Sequence, residues 1–197
     1  MTTGDADQVR QLRELTGAGI MDCKRALQES KGDFKTAQEL LRKRGIDIAK
    51  KKAGRAAKEG LLFSYIHLGG KIGVLVEINC ETDFVARNSD FQEFGRNIAM
   101  QIAAAHPLFV SREQVDPEWI AEEKRIFAEQ VKEKPVPIQE KIIQGKLDKR
   151  FEEVCLLDQK FIKDDTKTVQ SLLTDLIAKI GENIAIRRFS RFEIGTE

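Results

Sequence analysis

Ile72, Val74, Val76 and Ile78 fall two residues apart, which places all four on one face of an extended strand and fixes the middle of the chain as sheet. The segment before them, Leu61 to Leu68, has a similar character, and Gly69-Gly70 between the two runs predicts a hairpin closed by a two-residue turn. Upstream of Gly60 the period is helical instead. Val9, Leu12 and Leu15 mark one stripe, stopped by Thr16, Gly17, Ala18 and Gly19. A second runs from Ile20 through Cys23, Ala26 and Leu27 to Gly32, and a third opens at Asp33 and carries Phe34, Ala37, Leu40 and Leu41 before Gly45. A chain that is helical first and then mixes strand with helix falls in the α+β class, with an antiparallel sheet.

Three domains are expected from this change of period: a three-helix unit over residues 1–46, a linker helix over 47–59, and an α+β core over 60–197. Ile48 to Glu59 is rich in Lys and Ala, which favours helix without a wide apolar face. Beyond the hairpin, Ser89 with Gln92 three residues on resembles a capping box opening a helix with Phe91, Phe94, Ile98 and Ile102, which ends near Pro107. Leu108 to Val110 reads as a short strand. Asp116-Pro117 is a strong helix start with Trp119, Ile126 and Phe127 as its core side. Helical patterns follow at Ile138 to Gln144 and Lys146 to Leu157, then a short strand at Phe161-Ile162, a helix over Val169 to Ile180, and a final strand over Asn183 to Ile194.

Charge and chemistry narrow the function. Charged residues make up 33% of the chain, yet the formal net charge is only +1, so no strong overall field draws it to nucleic acid or anionic membrane. The basic excess is local: residues 1–58 carry fourteen Lys and Arg against eight Asp and Glu. No apolar stretch has membrane length, and Met1 to Val9 is acidic and polar, unlike a secretory leader. The three cysteines, Cys23, Cys80 and Cys155, are too dispersed for a disulfide framework or a zinc pattern and read as buried free thiols in a reducing, cytoplasmic setting. Only His67, inside a predicted strand, and His106, beside a proline, could act as unperturbed near-neutral bases, and neither accompanies a nucleophile. Phosphate-binding glycine loops, dinucleotide fingerprints and His-Glu-x-x-His are missing, so no catalytic residue, metal or cofactor is assigned.

Two features remain. Lys50-Lys51-Lys52 with Arg55 and Lys58 could form a solvated helix, a protein contact or a phosphate grip; a ribosome- or RNA-associated module using residues 49–58 is the alternative function. The run Cys80, Glu81, Thr82, Asp83, Phe84, Val85, Ala86, Arg87 and Asn88 is less ordinary, because it places a large aromatic next to a carboxylate just past the best strand. On residue chemistry alone Phe84 reads first as a core plug and second as a protruding anchor for a partner. Glu77, Glu81 and Asp83 are a remote third possibility, a metal site serving a small hydrolase.

Several stretches of the chain resemble the translation elongation factor Ts family. Leu12-Arg13, Thr16-Gly17-Ala18-Gly19-Ile20-Met21-Asp22-Cys23-Lys24 and Ala26-Leu27 are similar to its first motif, on a ubiquitin-associated-like helical domain; Glu77 to Arg87 is similar to its second; Lys179-Ile180-Gly181-Glu182-Asn183-Ile184 extends the likeness toward the end. The resemblance implies a guanine-nucleotide exchange factor, not an enzyme, acting on the GTPase elongation factor Tu during protein synthesis. It implies that Thr82, Asp83, Phe84 and Val85 dislodge Mg²⁺ from the GTPase, with Asp83 and Phe84 entering between its helices, and that Arg13, Ile20 and Met21 approach the GTPase domain. No long heptad insertion is visible, so the chain resembles the short, single-core form, which implies a homodimer and no membrane or direct nucleic-acid partner.

Overall fold

The computed structural model describes residues 3–195, so the outermost ends of the expected first and last domains, at 1–2 and 196–197, lie outside the described residues. The chain divides into two compact units. One gathers residues up to Leu61, Asn79–Gln92 and Ser171–Ala185; the other holds Leu62–Ile78, Glu93–Gln170 and the chain from Ile186 onward. No helix among the described residues is long and apolar enough to cross a membrane.

In the first unit three helices pack together: α1 (Thr3–Thr16), α2 (Ile20–Glu29) and α3 (Phe34–Lys52). Leu12, Cys23, Ala26, Leu27, Ala37 and Leu41 form their buried core, with Val9, Phe34 and Leu40 packed against it. The 3.6-residue stripe therefore holds for all three segments except at Leu15 and Ile20, which are exposed at the last turn of α1 and the first turn of α2. Asp33 caps α3 by accepting from the Thr36 N–H at 2.7 Å. Gly45 does not end α3. It is buried inside a helix that continues through the expected linker to Lys52, and a Cβ there would meet Ala178 Cβ at 3.4 Å, an ordinary contact distance.

The sheet has the order β1-β2-β5, built from β1 (Glu59–Ile66), β2 (Ile72–Cys80) and β5 (Ile184–Glu193). It is antiparallel, as the sequence implied. Val74, Val76 and Ile78 are buried, in keeping with the two-residue alternation. The hairpin turn is wider than two residues: the His67 N–H donates to the Ile72 carbonyl at 2.9 Å and the Gly70 N–H to the His67 carbonyl at 2.9 Å, so Leu68 to Lys71 make the loop and His67 lies just past the strand.

Two helices follow β2. They are α4 (Asp83–Ala86) and the long α5 (Ser89–Ala105), in which Phe91, Phe94, Ile98 and Ile102 are all buried. The cap of α5 is Asn88 rather than Ser89, since Asn88 Oδ1 accepts from the Asp90 N–H at 2.8 Å and the Asn88 carbonyl from the Gln92 N–H at 3.0 Å.

In the second unit Asp116 caps α6 (Pro117–Glu129) as expected, accepting from the Glu118 N–H at 2.8 Å. Trp119 and Phe127 pack on the cluster of Val115, Leu147, Phe151, Val154 and Cys155, whereas Ile126 is exposed. The two helical patterns at 138–144 and 146–157 are one helix, α7 (Val136–Val154), because Gly145 lies mid-helix at little cost to the turn pattern. Leu108 to Val110 is no strand; Phe109 makes only an isolated bridge to Cys155. β3 (Lys160–Phe161) and β4 (Asp164–Thr168) form a separate antiparallel pair, and α8 (Val169–Ile180) leads back to β5. Gly181 closes α8 with φ of +82°, a backbone conformation that side chains with a Cβ rarely adopt.

Candidate partner-binding site

The residues singled out after β2 form one tight turn. Thr82 leaves the strand in extended conformation, and its Oγ1 accepts from the Val85 N–H at 3.4 Å, which starts α4 as a single helical turn. Four residues spaced around one turn cannot all face inward. Val85 and Ala86 are buried, so Asp83 and Phe84 point outward, and Phe84 is 78% exposed. The core-plug reading of Phe84 is therefore wrong: the inward side of the turn is already filled by its two successors. Arg87 pairs with Asp83 one turn earlier and leaves the ring uncovered.

Beneath the exposed ring the turn is held by a crossed pair of carboxylates. Glu182 accepts from Thr82 twice, Oε2 from the backbone N–H at 3.0 Å and Oε1 from the hydroxyl at 2.8 Å. Glu81 reaches the opposite way, its Oε1 accepting from the Asn183 N–H at 2.6 Å. Each acid thus caps the backbone of the residue that follows the other acid. Asn183, buried, donates through Nδ2 to the Arg55 carbonyl at 2.7 Å and to the Ala53 carbonyl at 3.5 Å, tying in the chain that leaves α3. Arg55 Nη1 stands 3.5 Å from Glu81 Oε2. The Asn183 N–H, with help from Arg55, holds the Glu81 carboxyl below its ordinary range. Cys80 lies under the turn and donates to the Thr82 carbonyl at 3.1 Å; burial, reinforced by the charge of Glu182, pushes its thiol up to about 11.

Sequence reasoning named Glu81, Glu182 and Asn183 as parts of recognisable stretches, with Glu81 also a remote metal-ligand candidate and Asn183 the start of the last strand, but gave none of them these contacts. The 100-residue separation of Thr82 and Glu182 hides their contact from any local pattern.

Arg13, Ile20 and Met21 are all exposed. Arg13 is in the last turn of α1, and Ile20 and Met21 begin α2 at 55% and 61% exposure. Ile20 and Met21 also line a groove of about 760 Å³ with Val9, Lys24, Leu27 and Lys31. Lys50, Lys51 and Lys52 occupy the last turn of α3, where cations are favoured by the helix dipole.

The carboxylates of the hydrolase reading do not assemble a metal site. Glu77 pairs with Arg188 at 2.7 Å, Glu81 serves Asn183 and Arg55, Asp83 pairs with Arg87, and no cluster of three metal-binding side chains exists among the described residues.

Residues 21–176 match the family described as Elongation factor TS. The chain is 56% identical over 189 residues to the elongation factor Ts of Thermotoga petrophila, covering 96% of this chain and 95% of that protein. It is 58% identical over 192 residues to the elongation factor Ts of Geotalea daltonii, covering 96% of this chain and 89% of the relative. Matches of this length, which run through the Phe84 turn and the Glu182 loop alike, leave no segment of the site to another origin. The chain belongs to the elongation factor Ts family.

Proposed function

We propose that this chain is a guanine-nucleotide exchange factor for the GTPase elongation factor Tu, acting in the elongation phase of protein synthesis. It works in the cytoplasm as a homodimer, without catalysing a covalent step and without touching nucleic acid. The observation that carries the reading is the exposed Phe84 ring, set beside Asp83 on a turn whose other residues are buried or hydrogen-bonded. Such a projection can enter a neighbour without first unfolding its own support. Mg²⁺ demands near-octahedral oxygen ligation and bridges the phosphates, so displacing its ligands slightly weakens both the ion and the nucleotide. Thr82 and Val85 fix the turn, while Asp83 and Phe84 make the intrusion. Arg13, Ile20 and Met21 supply a second contact on the GTPase.

Burying Phe84 in the partner contributes roughly 1.5–3 kcal/mol. A thousandfold loosening of nucleotide needs about 4 kcal/mol, so the second contact must share the work. The coupling is reciprocal: nucleotide weakens the partner's hold on this chain as much as the chain weakens nucleotide binding. The GTP to GDP preference of the free GTPase is untouched.

Stopped-flow release of a fluorescent GDP from purified elongation factor Tu tests this. Phe84→Ala should slow the stimulated release by about tenfold to a hundredfold, from the burial energy above, while circular dichroism and melting stay as in the wild type. An unchanged release rate in a folded variant removes the wedge.

A further inference from the structure

Glu182 occupies an unusual position for a solvent-accessible acid, since both of its oxygens are spent on one residue of a distant loop. It takes the N–H and the O–H of Thr82, the residue that launches the Phe84 turn. Thr82 Oγ1 in turn accepts from the Val85 N–H, so a continuous chain of hydrogen bonds runs from the Glu182 carboxylate to the backbone one residue past Phe84. Glu182 itself is held by its setting. Gly181, at φ of +82°, turns the chain sharply off α8, and on the other side Asn183 is fixed by Glu81 and by the carbonyls of Ala53 and Arg55. Lys179 adds an ion pair to Asp90 at 2.8 Å, tying the end of α8 to the helix that follows the turn.

A four-residue helical turn has too few internal hydrogen bonds to hold its own direction. Its aim must come from outside. We infer that Glu182 is a positioning residue for nucleotide exchange, which fixes the direction of Phe84 through Thr82. This deepens the exchange reading and rests on it. Glu182 touches neither partner nor nucleotide; it limits the orientations that the ring samples before docking, and a ring that must be ordered on docking contributes less to the bound state. A carboxylate suits the role because one planar group accepts from an N–H and an O–H side by side. Glutamine keeps that shape: its oxygen accepts from the Thr82 N–H, and its NH₂ donates to the hydroxyl oxygen, whose second lone pair remains for the Val85 N–H. Alanine keeps neither bond.

The difference between those two substitutions is the test. Stimulated GDP release from elongation factor Tu is measured with full-length Glu182→Ala, Glu182→Gln, Phe84→Ala and the Phe84→Ala/Glu182→Ala double variant, each first shown to be folded. Loss of hydrogen bonds to a charged acceptor is expected to slow Glu182→Ala by about tenfold. Glu182→Gln should stay within about threefold of the wild type, because the shape survives without the charge. The double variant should be no slower than Phe84→Ala alone, since aiming a ring that is gone has no effect. A 4-fluorophenylalanine placed at position 84 gives an independent readout: its ¹⁹F resonance should lose dispersion and sharpen in Glu182→Ala and stay put in Glu182→Gln.

Three results overturn the inference while leaving the wedge intact: Glu182→Ala as fast as wild type when Phe84→Ala is slow; Glu182→Gln as slow as Glu182→Ala, which makes the charge the active property; or a double variant slower than Phe84→Ala by the full Glu182 effect. A wild-type rate in Phe84→Ala is a different failure and removes the wedge, whereas no stimulation of release by the wild-type chain removes the exchange reading itself. Should Glu182→Ala not fold, Thr82→Val carries the test, because it removes the hydroxyl that links Glu182 to the Val85 N–H and keeps the Thr82 N–H bond to Glu182; it should slow release by about threefold to tenfold, and a wild-type rate refutes the inference.

Discussion

Replacing Gly95 by alanine should destabilise the protein, although alanine is the better helix former. Gly95 lies in the middle of α5, where the exchange normally gains about 1 kcal/mol in helix propensity. Tertiary packing opposes it. A Cβ at this position would stand 2.3 Å from both Cε2 and Cζ of Phe63 and 2.5 Å from Cδ2, where an ordinary carbon contact is about 3.5–4.0 Å. The ring must therefore recede by roughly 1 Å or more, yet Phe63 is itself buried on β1 and has little room to move. Overpacking of this kind costs about 1–3 kcal/mol, and so deep an overlap belongs at the upper end. Subtracting the propensity gain leaves a net loss of about 2 kcal/mol, or a fall in melting temperature of roughly 4–8 °C for a chain of this size. The cause is isolated by repeating the substitution in a Phe63→Ala background. With the ring gone, Gly95→Ala should raise stability by about 1 kcal/mol relative to Phe63→Ala alone. A wild-type melting temperature in Gly95→Ala, or the same loss with and without Phe63, refutes the reasoning.

Two further outcomes follow from the surface and the loop. The folded Glu81 carboxyl titrates below its ordinary value of 4.5, mainly through the Asn183 N–H, so its contribution is complete above that value and is lost as pH falls through the lower folded one. Glu81→Gln should melt lower than the wild type at pH 7, and the gap should narrow as the pH is taken below the ordinary carboxylate value; a gap that is constant with pH contradicts the assignment. On the sheet, Phe63 is buried while Leu62 and Ile66 are exposed on the other side of β1. A Cβ at Gly73 of β2 would meet Ile66 Cδ1 at 3.1 Å, so Ile66 lies over the face that also exposes Leu75. The homodimer proposed above, seated on this exposed face, predicts that the wild type sediments as a dimer and the Leu62→Glu/Ile66→Glu double variant as a monomer; a double variant that still dimerises would place the interface elsewhere.

Much of the architecture is legible locally. The α2 and α3 stripes, the Asp116-Pro117 cap and the Val74-Val76-Ile78 alternation depend on neighbours within a few residues, and each forms as the pattern implies. Local signals fail where a distant segment competes. Gly45 carries a stop signal but continues the helix, because an interior glycine costs a helix only about 1 kcal/mol against alanine and this one is buried against the rest of its unit. Leu15 and Ile126 fit apolar stripes but are exposed, since a stripe can be wider than the surface available to cover it. Gly69-Gly70 promises the tightest hairpin, yet the strand register is set by the hydrogen bond between His67 and Ile72.

The site shows the same division. Sequence alone determined that an aromatic and an acid sit together just past the best strand, and which family carries that string, because both are properties of adjacent residues. Whether the ring faces the core or the solvent was left open there, since a one-turn helix has no period from which to read a face. Tertiary structure decided it by burying Val85 and Ala86 and turning Phe84 out, with Glu182 grasping Thr82 from 100 residues away. Direction on so short an element is imposed by the partners that satisfy its backbone, and those partners are brought together only when the whole chain folds.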